Sequence, residues 1–444
     1  MSGTAMGAGE AAHPLRPGAR IYILVLLTVT YTLAFLDRQI INILAEPIKK
    51  DLHLADWQMG VMTGFAFALL YTILGVPIAR LSERGNRSLI VAGALTIWSG
   101  FTALSGLAHS FTHMLIARVG VGIGEAGCTP PAHSLITDIT PKEKRAGALA
   151  FYSMGLPIGT LLGMVLGGVV AEFYGWRMAF LLVGVPGLLL AALMLITVKD
   201  PRVSAVRNRS TQQDDIPPLG ETIRRLLKTK SFIWISLGAA SIAFAGYGHQ
   251  AFYGSFYLRN HTDGLDAIAA TFGFDGRIAV LGIVLGLILG TTAAAGTATG
   301  GWLGDRFARA GAKGYTAVPM WATGLAVPFL IAAFLVPGTI SSLLILAVPS
   351  FLKGMWYGPV FACVQSIVPP RSRATAVAVF LFILNALGLG CGPVFAGILS
   401  DVSARWFGPA EGLRFAMVVL SIIVSLSVVC FAMARRTIED DVCS

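Results

Sequence analysis

Charge is what this sequence has least of. Its 444 residues include 33 Lys and Arg and 23 Asp and Glu, so that 13% of the chain is charged, against about 25% in ordinary soluble domains. Together with 55% hydrophobic residues, that shortage excludes a water-soluble globular protein. The apolar total is enough for about twelve membrane spans of about 20 residues each, with little mass outside the bilayer. Cysteine is also scarce. Four of the five, Cys128, Cys363, Cys391 and Cys430, sit inside apolar segments and Cys443 lies near the C-terminus, so they read as free thiols and not as a disulfide framework or metal site. A nucleophile–base pair, an HExxH motif and a phosphate-cradling Gly loop are all missing, which counts against a membrane-embedded lipid enzyme. With no soluble output domain expected at either end, a non-transporting sensor is disfavoured too. No cofactor or metal is expected. A formal charge of +10 would suggest nucleic acid in a soluble chain, but here the basic residues sit in short loops, where they report topology.

Apolar runs occur at residues 21–43, 57–78, 88–107, 111–136, 146–174 and 176–198, and again at 232–258, 278–303, 314–336, 341–367, 373–402 and 413–434. Backbone groups in hydrocarbon must be satisfied within their own segment, so these are helices, spans 1 to 12. The first run is longer than a signal-peptide core and has no evident cleavage signal, and it is expected to stay as a span. The division follows: a tail 1–20, a six-helix bundle 21–198, a linker 199–230 with a short basic segment, a second six-helix bundle 231–434, and a tail 435–444. Placing both termini in the cytoplasm assigns 23 Lys and Arg to that side and seven to the other, the bias that fixes orientation. If the source is bacterial, the membrane is the inner one.

The halves repeat each other. Pro131, Pro141, Arg145 and Ala146 recur 228 residues later as Pro359, Pro369, Arg373 and Ala374, and Leu81, Ser82, Glu83 and Arg84 recur 222 residues later as Leu303, Gly304, Asp305 and Arg306. A parallel repeat of six helices implies two bundles about an axis along the membrane normal, with a cavity between them.

Gly301, Leu303, Gly304, Asp305 and Arg306 after span 8 form a Gly-x-Leu-Gly-Asp-Arg loop, and span 2 ends in a degraded copy with Ala79, Glu83, Arg84 and Arg87. On these motifs and the repeat the chain resembles a major facilitator superfamily transporter over nearly its whole length. The resemblance implies an all-α membrane fold of twelve transmembrane helices in two pseudo-symmetric six-helix bundles. It also implies that Glu83, Arg84, Asp305 and Arg306 form a cytoplasmic gate. A carboxylate beside a helix N-terminus suits such a latch.

Charges inside spans are expensive, about 2.5 to 3.5 kcal/mol each at the bilayer centre, and usually line ion or substrate paths. Asp37 and Arg38 lie in span 1, and Arg118 and Glu125 lie seven residues apart in span 4, on one face but about 10 Å apart along the axis. Each therefore needs a partner on another helix. Depth sets Asp37 against Arg118 and lets Arg38 reach toward Glu125, with internal staples as the alternative to a transport role. Asp-Arg in span 1 and Arg118, Gly122 and Glu125 in span 4 are most similar to the spinster-like branch. That branch implies a proton-coupled carrier working by alternating access, in which Asp37 and Glu125 exchange protons and Arg38 and Arg118 answer their charge. Desolvation favours the neutral form of a carboxyl group and a neighbouring guanidinium favours the charged form.

Lys353, placed opposite Glu125 by the 228-residue offset, is expected to face the cavity near mid-depth. The substrate-binding set is thus Arg38, Glu125, Lys353 and Tyr247, suited to an anionic headgroup. The aromatic run Tyr247, Phe252, Tyr253, Phe256 and Tyr257 favours an amphipathic, lipid-like cargo. The rival is a small hydrophilic carboxylate moved by an organic-anion/proton symporter. The expected partners are cargo, protons and the lipid bilayer, with no nucleic acid, and the chain is expected to act as a monomer powered by the proton gradient. Gly155, Gly159, Gly163, Gly167 and Gly168 stripe span 5, and Gly388, Gly390, Gly392 and Gly397 stripe span 11, either as moving interfaces or as tight packing. His133 is expected to be a packing residue, and Trp176 and Arg177 an interfacial anchor.

Overall fold

The computed structural model describes residues 17–201, 219–309, 311–369 and 372–441, except for the side chains of residues 17, 76, 83, 84, 142, 146, 219 and 374. The described residues are helical, with turns between helices and no strand. Among them nine helices are long and apolar enough to cross a membrane. Two of the nine hold two spans each, merged across Gly175 and Gly408, whose φ of 82° places both in the left-handed region that favours glycine. Helix 4, formed by Phe111–Glu125 and Thr129–Ile139, is broken just after the buried Glu125 and completes the twelve.

Spans 1 to 4 run over Pro17–Ile43, Asp56–Arg84 (with a π-helical turn at Val61–Phe65), Arg87–Ser105 and Phe111–Ile139. Spans 5 and 6 occupy Arg145–Ser153 and Gly155–Thr197. Spans 7 to 10 are Lys230–Asn260, Arg277–Ala308, Lys313–Leu335, and Thr339–Gly354 with Tyr357–Ser366. Spans 11 and 12 run through Arg373–Ile383, a second π-helical turn at Leu384–Cys391, Gly392–Ile423 and Ser425–Asp441. Asn86 and Ser110 cap spans 3 and 4, each accepting a backbone N–H three residues on.

Three boundaries differ from the sequence expectation. Span 11 does not stop near residue 402; the helix runs on to Gly408, because the break is a single glycine and not a polar loop. A further helix, Thr262–Phe272, fills what reads as a loop, burying Leu265 and Ala269 and ending at Gly273 with φ 71°. The basic linker segment folds as the helix Leu219–Lys228.

We call the face from which span 1 departs the terminal face and its opposite the distal face. In the distal half both bundles share one hydrophobic core, with Ile40, Met164 and Phe180 of the first beside Phe256, Leu281 and Phe334 of the second. Toward the terminal face the cores separate: Leu27, Ile136 and Tyr152 belong to one, and Phe232, Phe380 and Phe431 to the other. The two bundles share a core distally, and toward the terminal side each has its own.

Gly155, Gly159, Gly163 and Gly167 of the span 5 stripe seat span 1 within its own bundle. A Cβ on Gly159 or Gly163 would meet the backbone of Thr32 or Leu36. Gly388 and Gly392 do the same for span 11 against Ala243 and Phe244 of span 7. These positions are tight packing inside each bundle.

Candidate substrate and proton site

Span 1 carries Asp37 and Arg38 into the first bundle, where each meets a different level of span 4. Arg38 binds the Glu125 carboxylate at 2.7 Å through Nε, and a second guanidinium nitrogen stands 2.6 Å from the same oxygen. Arg118 donates to Asp37 at 3.2 Å, and the Thr102 hydroxyl of span 3 donates to the other Asp37 oxygen at 2.8 Å. The crossed pairing follows the depths computed from the sequence. Asp37, Arg118 and Glu125 are buried, while the Arg38 side chain keeps 19% of its surface exposed. Its guanidinium also lies over the rings of Phe67 and Tyr71 at 4.6 and 4.7 Å, within cation–π range.

The network is incompletely satisfied. Glu125 Oε1 and Arg118 Nε are both buried and have no hydrogen-bond partner. Buried polar atoms are normally paired, so each marks a place where a proton, water or ligand atom has chemistry to complete.

Lys353 is half-buried in span 10, and its ammonium approaches Gly246 of span 7. Among the described residues it has no ion-pair or hydrogen-bond partner. Tyr247, the residue after Gly246 on span 7, is half-buried and packs against both the second bundle's terminal core and a cluster holding Phe67 and Trp98 of the first.

The rest of the aromatic run does not line a cargo surface. Phe252, Tyr253, Phe256 and Tyr257 are buried in the shared distal core around Phe334, because the run extends through more than one turn of a helix packed on all sides. Trp176 is likewise no exposed anchor: it is buried, donating to Asp51 at 3.3 Å beneath Arg177. His133 is exposed with its ring edge on Tyr152, not packed inside. His249, to which no role was assigned from its position in the sequence, is fully buried, with Met417 O at 3.0 Å and the Ser421 hydroxyl at 3.2 Å from its Nε2.

The sequence matches the Major Facilitator Superfamily over residues 27–393. The chain belongs to this superfamily. It is 32% identical to an MFS-type efflux pump of Mycolicibacterium smegmatis, over 97% of this chain and 95% of that protein. It is 25% identical to human Protein spinster homolog 1, over 96% of this chain and 83% of that one. A crystal structure of a bacterial homolog of the human lysosomal transporter Spinster, inward-facing and unoccupied, superposes with a TM-score of 0.83 at 33% identity, covering 97% of this chain and 99% of that chain. The protein is a spinster-like, multi-pass membrane transporter and not an enzyme.

Against the superfamily's signature loop, Asp305 and Arg306 are exposed at the terminal end of span 8, Arg306 lies near the Trp302 ring, and Asp305 makes no ion pair among the described residues. The side chains of Glu83 and Arg84 lie outside the described residues. Arg87 is the residue of this region that the sequence undervalued. It is fully buried, its guanidinium donating twice to Asp200 at 2.9 and 2.6 Å and once to Asp138 at 2.7 Å, and its backbone N–H once more to Asp200 at 2.8 Å, which ties the terminal ends of spans 3, 4 and 6 together. At the distal face Arg259 of span 7 holds Asp56 of span 2 at 2.8 Å and Glu46 at 2.8 Å across the two bundles. Lys49 adds a 2.6 Å contact to Asp56. The sequence reading counted Arg259 and Lys49 only as loop charges, since nothing local distinguishes a clamp from an orienting cation. Cys128, Cys363, Cys391 and Cys430 are free thiols, and Cys443 lies outside the described residues.

Proposed function

We propose that this transporter couples proton movement to the passage of an amphipathic, anionic, lipid-like substrate by alternating access, with the terminal face in the cytoplasm. The observation that carries the reading is the crossed pair of intramembrane ion pairs, with Glu125 Oε1 left unpartnered beside a partly exposed Arg38. A proton arriving at Glu125 neutralises the carboxylate and frees the Arg38 guanidinium. Arg38 is then available to an anion, and departure of the anion returns it to Glu125. Asp37 holds Arg118 at the deeper level and is the second proton acceptor. Lys353 and Tyr247 contact the headgroup from the second bundle, opposite Arg38. Apolar walls on the terminal side take the tail. The excess of basic residues at the terminal face supports its cytoplasmic placement. The chain works as a monomer, with the proton gradient as its only energy source. Asp305 and Arg306, with Glu83 and Arg84, form the latch of the opposite state.

A second reading, a small hydrophilic carboxylate moved with protons, is favoured by one relative, a hexuronate transporter of Bacillus subtilis at 24% identity. Purified protein in liposomes under an imposed pH gradient separates the two. We expect a lysolipid to move and a small carboxylate to move far less, with Glu125→Gln lowering pH-driven flux about 5- to 150-fold, the usual span of a coupling free energy. Full pH-driven flux in Glu125→Gln would remove the proton assignment, and preference for the carboxylate would select the second reading.

A further inference from the structure

The two bundles meet at the distal face through a clasp that is built twice. In the first copy, Glu172 near the end of span 5 accepts the Ile278 backbone N–H, 2.9 Å away, at the start of span 8. In the second, Asp401 in span 11 accepts the backbone N–H groups of Asp56 and Trp57, at 3.1 and 2.8 Å, at the start of span 2. Ile278 is Asp56 displaced by 222 residues, the offset that relates Leu81 to Leu303, and Asp401 is Glu172 displaced by 229. Each carboxylate thus caps the first turn of a helix in the other bundle, at the positive end of its dipole.

The backbone beneath repeats as faithfully. Four residues before each acid stands a glycine: a Cβ on Gly168 would strike Ile278 O, and one on Gly397 would strike Asp56 O. Gly282 and Gly60, again 222 apart, press against the carbonyls of Met164 and Pro393, which are 229 apart. At Gly276 any side chain would collide with the Glu172 carboxylate. The extra residue in span 11, where the offset passes from 228 at Arg373 to 229 at Pro393, falls in the stretch containing the π-helical turn Leu384–Cys391, a form that takes up single insertions.

We propose that Glu172 and Asp401 are a matched pair of interbundle caps that set the population of the distally closed state, and are positioning residues of the transport cycle. Opening toward the distal side must withdraw both acids from both helix ends. Closing restores them, and the glycines let each acid come within hydrogen-bonding reach of its helix end. The proposal rests on alternating access and not on the proton assignment. Only the Asp56 copy has the added Arg259 clamp, so the Glu172 copy is the one whose cap acts without an adjoining interbundle ion pair among the described residues.

The test is a distance measurement between spin labels at His109→Cys and Arg405→Cys, exposed distal positions on opposite bundles, in a background lacking the native exposed thiols and with neither substrate nor gradient. Glu172→Gln and Asp401→Asn keep the shape and remove the charge. Each is expected to raise the ratio of distally open to closed molecules about fivefold, and the double variant about 25-fold, since the two sites are separate. Glu411→Gln, which loses a same-bundle contact to Arg414 on the same face, is expected to leave the distances unchanged. A double variant with wild-type distances, or a Glu411→Gln shift as large as the double, overturns the proposal. If the double variant does not fold, the two single variants decide by the same readout. Because no proton gradient enters, failure of the Glu125 assignment would leave this result untouched.

Discussion

Replacing Arg118 by leucine is expected to lower stability by about 3–5 kcal/mol, the usual cost of leaving one partner of a buried ion pair behind. Asp37, itself buried, would then keep only the Thr102 hydroxyl, 2.8 Å away. Removing both charges as Asp37→Leu with Arg118→Leu should recover most of that loss, because a buried pair contributes little net stability over apolar side chains of similar size. Transport should not recover with it. Exchanging the charges, Asp37→Arg with Arg118→Asp, restores the contact and is the stricter comparison. Thermal midpoints in detergent give the stability of all four proteins, and pH-driven uptake in liposomes gives their activity. A stable, fully active double-leucine protein would reduce the pair to a staple between helices. A single Arg118→Leu that melts with the wild type would show that Asp37 is not the buried, arginine-dependent group described above.

Arg87→Met is expected to be as destabilising, about 3–5 kcal/mol, and for a purely architectural reason. The substitution strips Asp200 of two guanidinium hydrogen bonds and Asp138 of one, at a side chain with no exposed surface. Three helices lose their common tie at the terminal face. Activity per folded molecule should change far less than the yield of folded molecules. A variant that melts with the wild type yet transports poorly would move Arg87 from the scaffold into the transport machinery.

The architecture was legible because hydrocarbon imposes one solution on the backbone, so that apolar length alone located the spans. The misplaced end of span 11 comes from Gly408, where a single residue of positive φ replaces the polar loop that sequence patterns detect; the same device at Gly175 falls where the apolar runs were already divided, between residues 174 and 176. The intramembrane pairs were legible for a similar reason. Charge inside a span has few places to go, and rise per residue gives its depth, which set Asp37 against Arg118 and Arg38 against Glu125. Side chains outside the hydrocarbon carry no such restriction. Arg87, Arg259 and Lys49 looked like any other orienting cation, although the first is wholly buried and the second joins the bundles. Thr102 was invisible because a threonine in a helix ordinarily returns its hydroxyl to its own backbone, as Thr96 does with Ala92. The aromatic run of span 7 misled because periodicity cannot tell a cavity wall from a helix enclosed on every side.

The doubled clasp also bears on how such an interface can arise. A surface that meets its own equivalent through equivalent residues has the self-complementarity of an isologous contact, the kind that joins two identical subunits about a twofold axis. Here the two subunits are halves of one polypeptide, and the tether between them leaves each half free to diverge while the seam is kept. Arg259 and Lys49 on one side of that axis, with no matching clamp at Glu172 among the described residues, are what such divergence looks like once fusion has removed the need for symmetry.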